Sequence, residues 1–233
     1  MYEAIEAAGG PEVPYHAHTT ARIAAFLREV VSATAASRVL DAGCGGLEYL
    51  QGPHRWVGID LVHATLVARA GTAVAGDIHS LPFADGSFDH VICVGSVANY
   101  LDLPRAAREL ARVLAPGGRL VLEYERSRSW LTFGTRHFGR DDVPWAVEYK
   151  EIRHEIRLYS DRFVDAALRS AGLARRARRC FHHLPPFAHH VRVGAFLAAR
   201  LPPGPRRSRG RCAGLPAGNA IALYGRDGGA AGP

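Results

Sequence analysis

Between Thr19 and Ala36 the apolar residues Ile23, Phe26, Leu27, Val30 and Val31 recur at spacings of three and four. That spacing predicts a helix over 19–36 with one buried stripe. The period then changes. Arg38 to Asp41 is a short apolar run halted by Gly43, Gly45 and Gly46, and Trp56 to Asp60 is a second run that also closes on an acid. Leu61 to Ala70 has the composition of a helix and Ala73 to Gly76 that of a short strand. Phe88 to Val94 reads as a strongly apolar strand, Leu103 to Leu114 as a helix and Gly118 to Tyr124 as a further strand. Strands that are apolar throughout and separated by helices predict an α/β fold, its parallel sheet covered on both faces.

Two junctions carry turn chemistry: Ala115-Pro116-Gly117-Gly118, and Ala171-Gly172-Leu173 after a helix from Ser160 to Ser170, with Ser160 a candidate cap. The segment from Glu125 to Tyr159 breaks the rhythm with Trp130, Phe133, His137, Phe138, Trp145 and Tyr149, and we read it as a lid or substrate wall. Strands follow at Leu173 to Cys180 and Asn219 to Tyr224, with a short helix over 191–201 between them. One domain is expected. Its parts are a helical cap (1–36), a core (37–124), a lid insertion (125–159), a C-terminal helix and hairpin (160–225) and a frayed tail (226–233).

Composition adds exclusions. The 233 residues are 48% hydrophobic and 22% charged, which suits a globular core and excludes a disordered or collagen-like chain. Cys44, Cys93, Cys180 and Cys212 show no paired spacing, so neither a zinc cluster nor a disulfide framework is expected and a reducing cytoplasm fits best. The opening residues carry two acids and no base, and no apolar run approaches membrane-spanning length, so no secretory leader or membrane span is expected. The net charge of +7 is local: ten arginines and no acid lie between Arg175 and Arg211, and the remaining 19 bases face 22 acids. We read the arginine run at 205–211 as a solvated basic loop, with nucleic acid an unlikely partner. His182, His183, His189 and His190 have no carboxylate nearby in sequence, and no metal site is assigned.

The chemistry sits in Val39-Leu40-Asp41-Ala42-Gly43-Cys44-Gly45-Gly46, a strand that ends on an acid and turns through glycines. Such glycines let backbone amides approach a ligand closely. A dinucleotide fingerprint would need glycine at position 48, where Glu48 stands; a carboxylate there and Asp41 before the loop would repel a pyrophosphate. A phosphate-binding Gly-Lys-Ser/Thr is absent, since the chain's one lysine is Lys150. The loop prefers a cation. Asp60 lies nineteen residues beyond Asp41 and can accept from ribose hydroxyls, and Asp77, after Gly76, can accept from an adenine amine. S-adenosyl-L-methionine combines those groups with a sulfonium.

On these residues the chain resembles the class I S-adenosylmethionine-dependent methyltransferases, specifically the small-molecule branch grouped with ubiquinone and menaquinone biosynthesis. The motifs are residues 39–45, Val57-Gly58-Ile59-Asp60, Gly76-Asp77-Ile78, Leu81 to Asp89, and Arg112-Val113-Leu114-Ala115-Pro116-Gly117-Gly118. The resemblance implies a Rossmann-like doubly wound seven-stranded sheet, mostly parallel with an antiparallel last strand. It places Asp41, Gly43, Cys44 and Gly45 around the cofactor's methionine part and Asp60 on the ribose. Leu61 would pack on the base, with Asp77 and Ile78 on adenine and Val94 and Gly95 facing the methionine moiety. The family's third loop glycine would fall at Leu47, and the first helix must be short.

Methyl transfer from a sulfonium is an in-line displacement, so the protein must chiefly align the partners and exclude water. No catalytic residue is assigned. Candidates for contacting a small aromatic or hydrophobic acceptor are Asn99, Tyr100, Glu123, His137 and Trp145, with His79 and His137 conceivable bases. Competing readings are an RNA or protein methyltransferase using the basic 175–211 window, and a protein that keeps the cofactor as a structural ligand. Against base-amine methylation, Gly95-Ser96-Val97-Ala98-Asn99-Tyr100 replaces the Asn/Asp-Pro-Pro-aromatic tetrad.

Overall fold

A computed structural model describes residues 14–45, 49, 52, 54–62, 66, 72–149, 152–181 and 217–226. Helix α1 (Pro14–Val30) buries Ile23, Phe26 and Leu27 against Val39, Ile92, Val121, Phe181 and Ile221 of the sheet. It ends six residues before the predicted 36. The Arg119 guanidinium donates to the Val30 carbonyl at 2.9 Å, and a Thr34–Ser37 turn redirects the chain into the first strand.

The strands are β1 (Arg38–Ala42), β2 (Arg55–Asp60), β3 (Thr72–Ala75), β4 (Phe88–Cys93), β5 (Leu114–Glu125), β8 (Leu173–Phe181) and β9 (Asn219–Arg226), ordered 3-2-1-4-5-9-8. β1 to β5 run parallel and β9 is antiparallel to both neighbours. The order reverses between β1 and β4, the point at which open parallel sheets take ligands at the carboxyl ends of their strands. Successive side chains alternate between faces. Leu40 and Ala42 join the core under α2 (Leu103–Val113) and α3 (Asp161–Ser170), whereas Val39, and with it Asp41, shares the α1 face. Ser160 caps α3 by accepting from Phe163 N at 3.1 Å, as expected. The helix read over 61–70 lies outside the described residues except at Leu66, which is helical.

The 125–159 insertion is a hairpin of β6 (Asp142–Tyr149) and β7 (Ile152–Tyr159). Its small core of Val143, Ile156 and Leu158 packs on Tyr100, Trp145 and Val147. Two bonds fix it to the segment after β4: Asn99 Nδ2 to the Arg157 carbonyl at 2.6 Å, and Tyr159 Oη to the Leu101 carbonyl at 2.8 Å. The hairpin therefore rises from the edge of the sheet where β4 and β5 end.

Sequence periodicity gave no hint of the ion-pair network behind that edge. Arg126, nearly buried, pairs with Asp161 at 2.9 Å; Arg178 bridges Asp161 and Asp165 at 3.1 and 2.7 Å. Tyr124 and Tyr224 donate to the same two carboxylates. Cys44 and Cys93 are free and buried, whereas Cys180 is held in a disulfide whose other half lies outside the described residues. The cysteine spacing had not led us to expect a bridge. The histidines at 182–190, the helix at 191–201 and the arginine run at 205–211 also lie outside the described residues. Among the described residues no helix is long and apolar enough to cross a membrane, and no group of His, Cys, Asp or Glu could hold a metal ion.

Candidate functional site

The glycine loop is built by backbone bonds from β1 to β2. Gly43 N and Cys44 N both donate to the Ile59 carbonyl, at 2.8 and 3.1 Å, and Gly45 N donates to Asp60 Oδ2 at 2.8 Å. Asp60 Oδ1 accepts from Val62 N at 2.9 Å. Each carboxylate oxygen has two lone pairs, so Asp60 closes the loop and still retains acceptor sites. Gly43 must be glycine here: its φ is +80°, and a Cβ would stand 2.5 Å from Val97 Cγ1. Leu61 is 62% exposed beside Asp60. Asp41 is buried near the end of β1. Gly46, Leu47 and Glu48 lie outside the described residues.

At the end of β3, Asp77 Oδ1 accepts from His79 N at 2.9 Å and pairs with His79 Nδ1 at 2.7 Å. The His79 amide, above all, holds the Asp77 carboxyl below the usual carboxylate range. His79 Nε2 accepts from the Asp102 amide at 2.9 Å, so the ring proton sits on Nδ1 and both nitrogens are committed. Ile78 is buried beside it.

At the end of β4, Val94 is buried, and Gly95 and Ser96 are both left-handed, at φ +79° and +61°. A Cβ on Gly95 would meet Tyr49 Oη at 2.9 Å, so Tyr49, absent from the sequence-derived candidates, covers this turn. Ser96 is the one non-glycine with positive φ among the described residues, a conformation held against its steric cost by its surroundings. Ser96 N donates to Glu123 Oε2 at 2.5 Å and Ser96 Oγ to Glu125 Oε1 at 3.1 Å.

The acceptor candidates separate into two groups. Asn99 is wholly buried: its Nδ2 donates to the Glu125 and Arg157 carbonyls and its Oδ1 accepts from Glu125 N. It is a clamp between β5 and the hairpin. Glu123 is likewise wholly buried, its Oε1 bonded to Asn219 Nδ2 at 2.6 Å. Both are expected from the sequence as substrate contacts; the structure buries both and engages them in the bonds above. Tyr100, His137 and Trp145 stay half-exposed. Tyr100 Oη lies 3.0 Å from His154 Nε2 with the rings stacked, and the His137 and Trp145 rings meet edge-on at 6.2 Å. His154 escaped the sequence reading because its distance in sequence, 54 residues from Tyr100, carries no local signal.

The loop is lined by the Asp60 carboxylate and the apolar Val97, a set that fits a cationic adenosyl sulfonium and opposes a diphosphate. Residues 40–122 match the family model described as a methyltransferase domain. A malonyl-[acyl-carrier protein] O-methyltransferase of Erwinia pyrifoliae is 42% identical over 95 residues, 37% of this chain and 36% of that protein. A demethylmenaquinone methyltransferase of Mycolicibacterium vanbaalenii is 39% identical over 102 residues, 41% of this chain and 45% of that one. A probable tRNA methyltransferase 9B of Homo sapiens is 33% identical over 135 residues, 53% of this chain and 28% of that one. The matched stretch thus spans less than half the length of these curated relatives. In fold, the chain is similar to the Burkholderia thailandensis 1,6-didemethyltoxoflavin-N1-methyltransferase solved with S-adenosylhomocysteine, with a TM-score of 0.56 at 16% identity over 90% of this chain and 78% of that one. Over residues 40–122, then, the chain is similar to a methyltransferase domain, and its seven-stranded sheet is similar in fold to that of a solved methyltransferase that binds S-adenosylhomocysteine.

Proposed function

We propose that this protein transfers a methyl group from S-adenosyl-L-methionine to a small aromatic or hydrophobic metabolite. The observation that carries the reading is the pairing of a positive-φ glycine loop with acids at the ends of β2 and β3, Asp60 and Asp77. Asp60 would hold the ribose, Asp77 and Ile78 the adenine, Leu61 the base face, and Gly43, Cys44, Gly45, Val94 and Gly95 the methionyl part. The cofactor supplies an electrophilic methyl on its sulfonium. The chain's own share is alignment and exclusion of water: the hairpin core and Trp145 wall the acceptor side with apolar surface. The name of the demethylmenaquinone methyltransferase relative supports this class of acceptor.

A second reading, RNA methylation, is favoured by the tRNA methyltransferase relative. The described part of the basic window opposes it. Arg175 and Arg178 are spent on Asp165 and Asp161, and Arg179 on Glu29. Calorimetric titration with S-adenosylhomocysteine, with NAD as control, tests the cofactor assignment, since a specific ligand also raises the melting temperature. Turnover to S-adenosylhomocysteine across aromatic metabolites and RNA then separates the two acceptors. Binding without turnover on any acceptor would favour a structural role for the cofactor. A cytoplasmic location belongs to the same proposal. The buried free thiols of Cys44 and Cys93 agree with it, and the Cys180 disulfide is the observation against it; alkylation of thiols before lysis decides.

A further inference from the structure

Beneath the Gly95–Ser96 turn sits a carboxylate that touches no solvent. Glu123 Oε2 accepts from Ser96 N at 2.5 Å and the Gly95 amide adds a further bond, while Asn219, from the start of β9, donates to Oε1 at 2.6 Å. Three donors therefore converge on one side chain, and two of them belong to the consecutive left-handed residues. Among the described residues no cation pairs with Glu123. Hydrogen bonds alone hold the charge, and a buried ion without a partner is costly. Such an arrangement persists when the geometry it enforces has a use.

We infer that Glu123 is a positioning residue for cofactor binding: ionised, it holds Gly95 and Ser96 in their left-handed turn and so shapes the end of β4 that receives the methionyl group. The inference rests on the methyltransferase reading of the site. It deepens that reading by naming a residue that acts through the turn and touches neither cofactor nor acceptor.

Protonation removes the charge that strengthens all three bonds, so the turn is held most tightly in the ionised form. Burial, the largest influence, pushes the Glu123 carboxyl up to about 7. The other titratable groups facing this pocket are Glu125 through Ser96 Oγ, the Cys93 thiol from β4, and Asp41 from β1, which acts on Cys93. The competent fraction then rises about tenfold from pH 6 to pH 8, and the apparent affinity rises with it.

The test is calorimetric titration of S-adenosylhomocysteine into the full chain at pH 6, 7 and 8. The wild-type dissociation constant should tighten about tenfold across that range. Glu123→Gln, which carries no charge at any pH, should bind at all three with one affinity, no tighter than that of the wild type at pH 6. Should that variant fail to fold, Asn219→Ala removes one bond to the ionised form and should move the midpoint of the wild-type profile to higher pH. A folded Glu123→Gln variant that keeps the wild-type slope, or an Asn219→Ala midpoint that does not move, overturns the inference and assigns the slope to Glu125, Cys93 or Asp41. Failure of the wild type to bind at any pH overturns the methyltransferase reading itself, and this inference with it.

Discussion

Replacing Asp60 by alanine removes the acceptor that closes the glycine loop and, on our reading, the one that holds the ribose. In the free protein two backbone donors lose their partner, Gly45 N at 2.8 Å and Val62 N at 2.9 Å. A hydrogen bond to a charged group contributes about 1.5–3 kcal/mol. Asp60 is only partly buried, so water recovers part of this and the fold should lose about 2 kcal/mol. Cofactor binding should weaken by about 1.5–3 kcal/mol more, roughly tenfold to a hundredfold in dissociation constant. Urea unfolding reads the first quantity and calorimetric titration with S-adenosylhomocysteine the second. To separate a collapsed loop from a lost ribose contact, the 2′-deoxy analogue completes a double cycle. The wild type should discriminate strongly against the analogue, and Asp60→Ala should not. An Asp60→Ala protein that binds S-adenosylhomocysteine with unchanged affinity, or that still distinguishes the deoxy analogue, would refute the ribose assignment.

Gly43→Ala should cost about 2–4 kcal/mol in urea unfolding, from a left-handed alanine and overpacking against Val97, and Val97→Ala should restore part of it. An effect below about 0.5 kcal/mol would mean the turn is drawn wrongly. Arg126→Ala leaves Asp161 buried with less compensation and should destabilise by about 3 kcal/mol, Arg126→Met by less because the volume is kept; equal losses would argue against an electrostatic cause. For Glu123, the folded carboxyl is raised from its ordinary 4.5 to about 7. Its contribution to stability is therefore present below pH 4.5 and is lost as pH rises to about 7, about 3 kcal/mol in all. Thermal unfolding between pH 5 and 8 should show that decline in the wild type and a shallower one in Glu123→Gln, and parallel profiles would contradict the buried charge.

The core strands were legible because they announce themselves locally. Val39-Leu40, Ile59 and Val91-Ile92 are apolar on both faces, and such runs fit only a sheet covered on both sides. Acids and glycines at strand ends, Asp60 and Gly43 among them, were readable for the same reason, since turn chemistry spans a few residues. Helix α1 was overrun at its C-terminus because Arg119, the residue that caps it, lies 89 positions away. Asn99 and Glu123 illustrate the same gap at the site. Both follow the pattern of polar residues at the mouths of strands, yet Arg157 and Asn219, 58 and 96 residues on, fold over them and consume their bonds.

The sequence by itself determined which segments form the seven strands of the main sheet, though not the hairpin of β6 and β7, and which acids fall at their carboxyl ends, because hydrophobic period and turn propensity act over short stretches of chain. Only the tertiary structure decided which of the acids at strand ends are wholly buried and which stay partly exposed. Burial and ionisation depend on neighbours brought in from β9 and the hairpin, and a desolvated carboxylate such as Glu123 takes its chemistry from those neighbours rather than from its place in the chain.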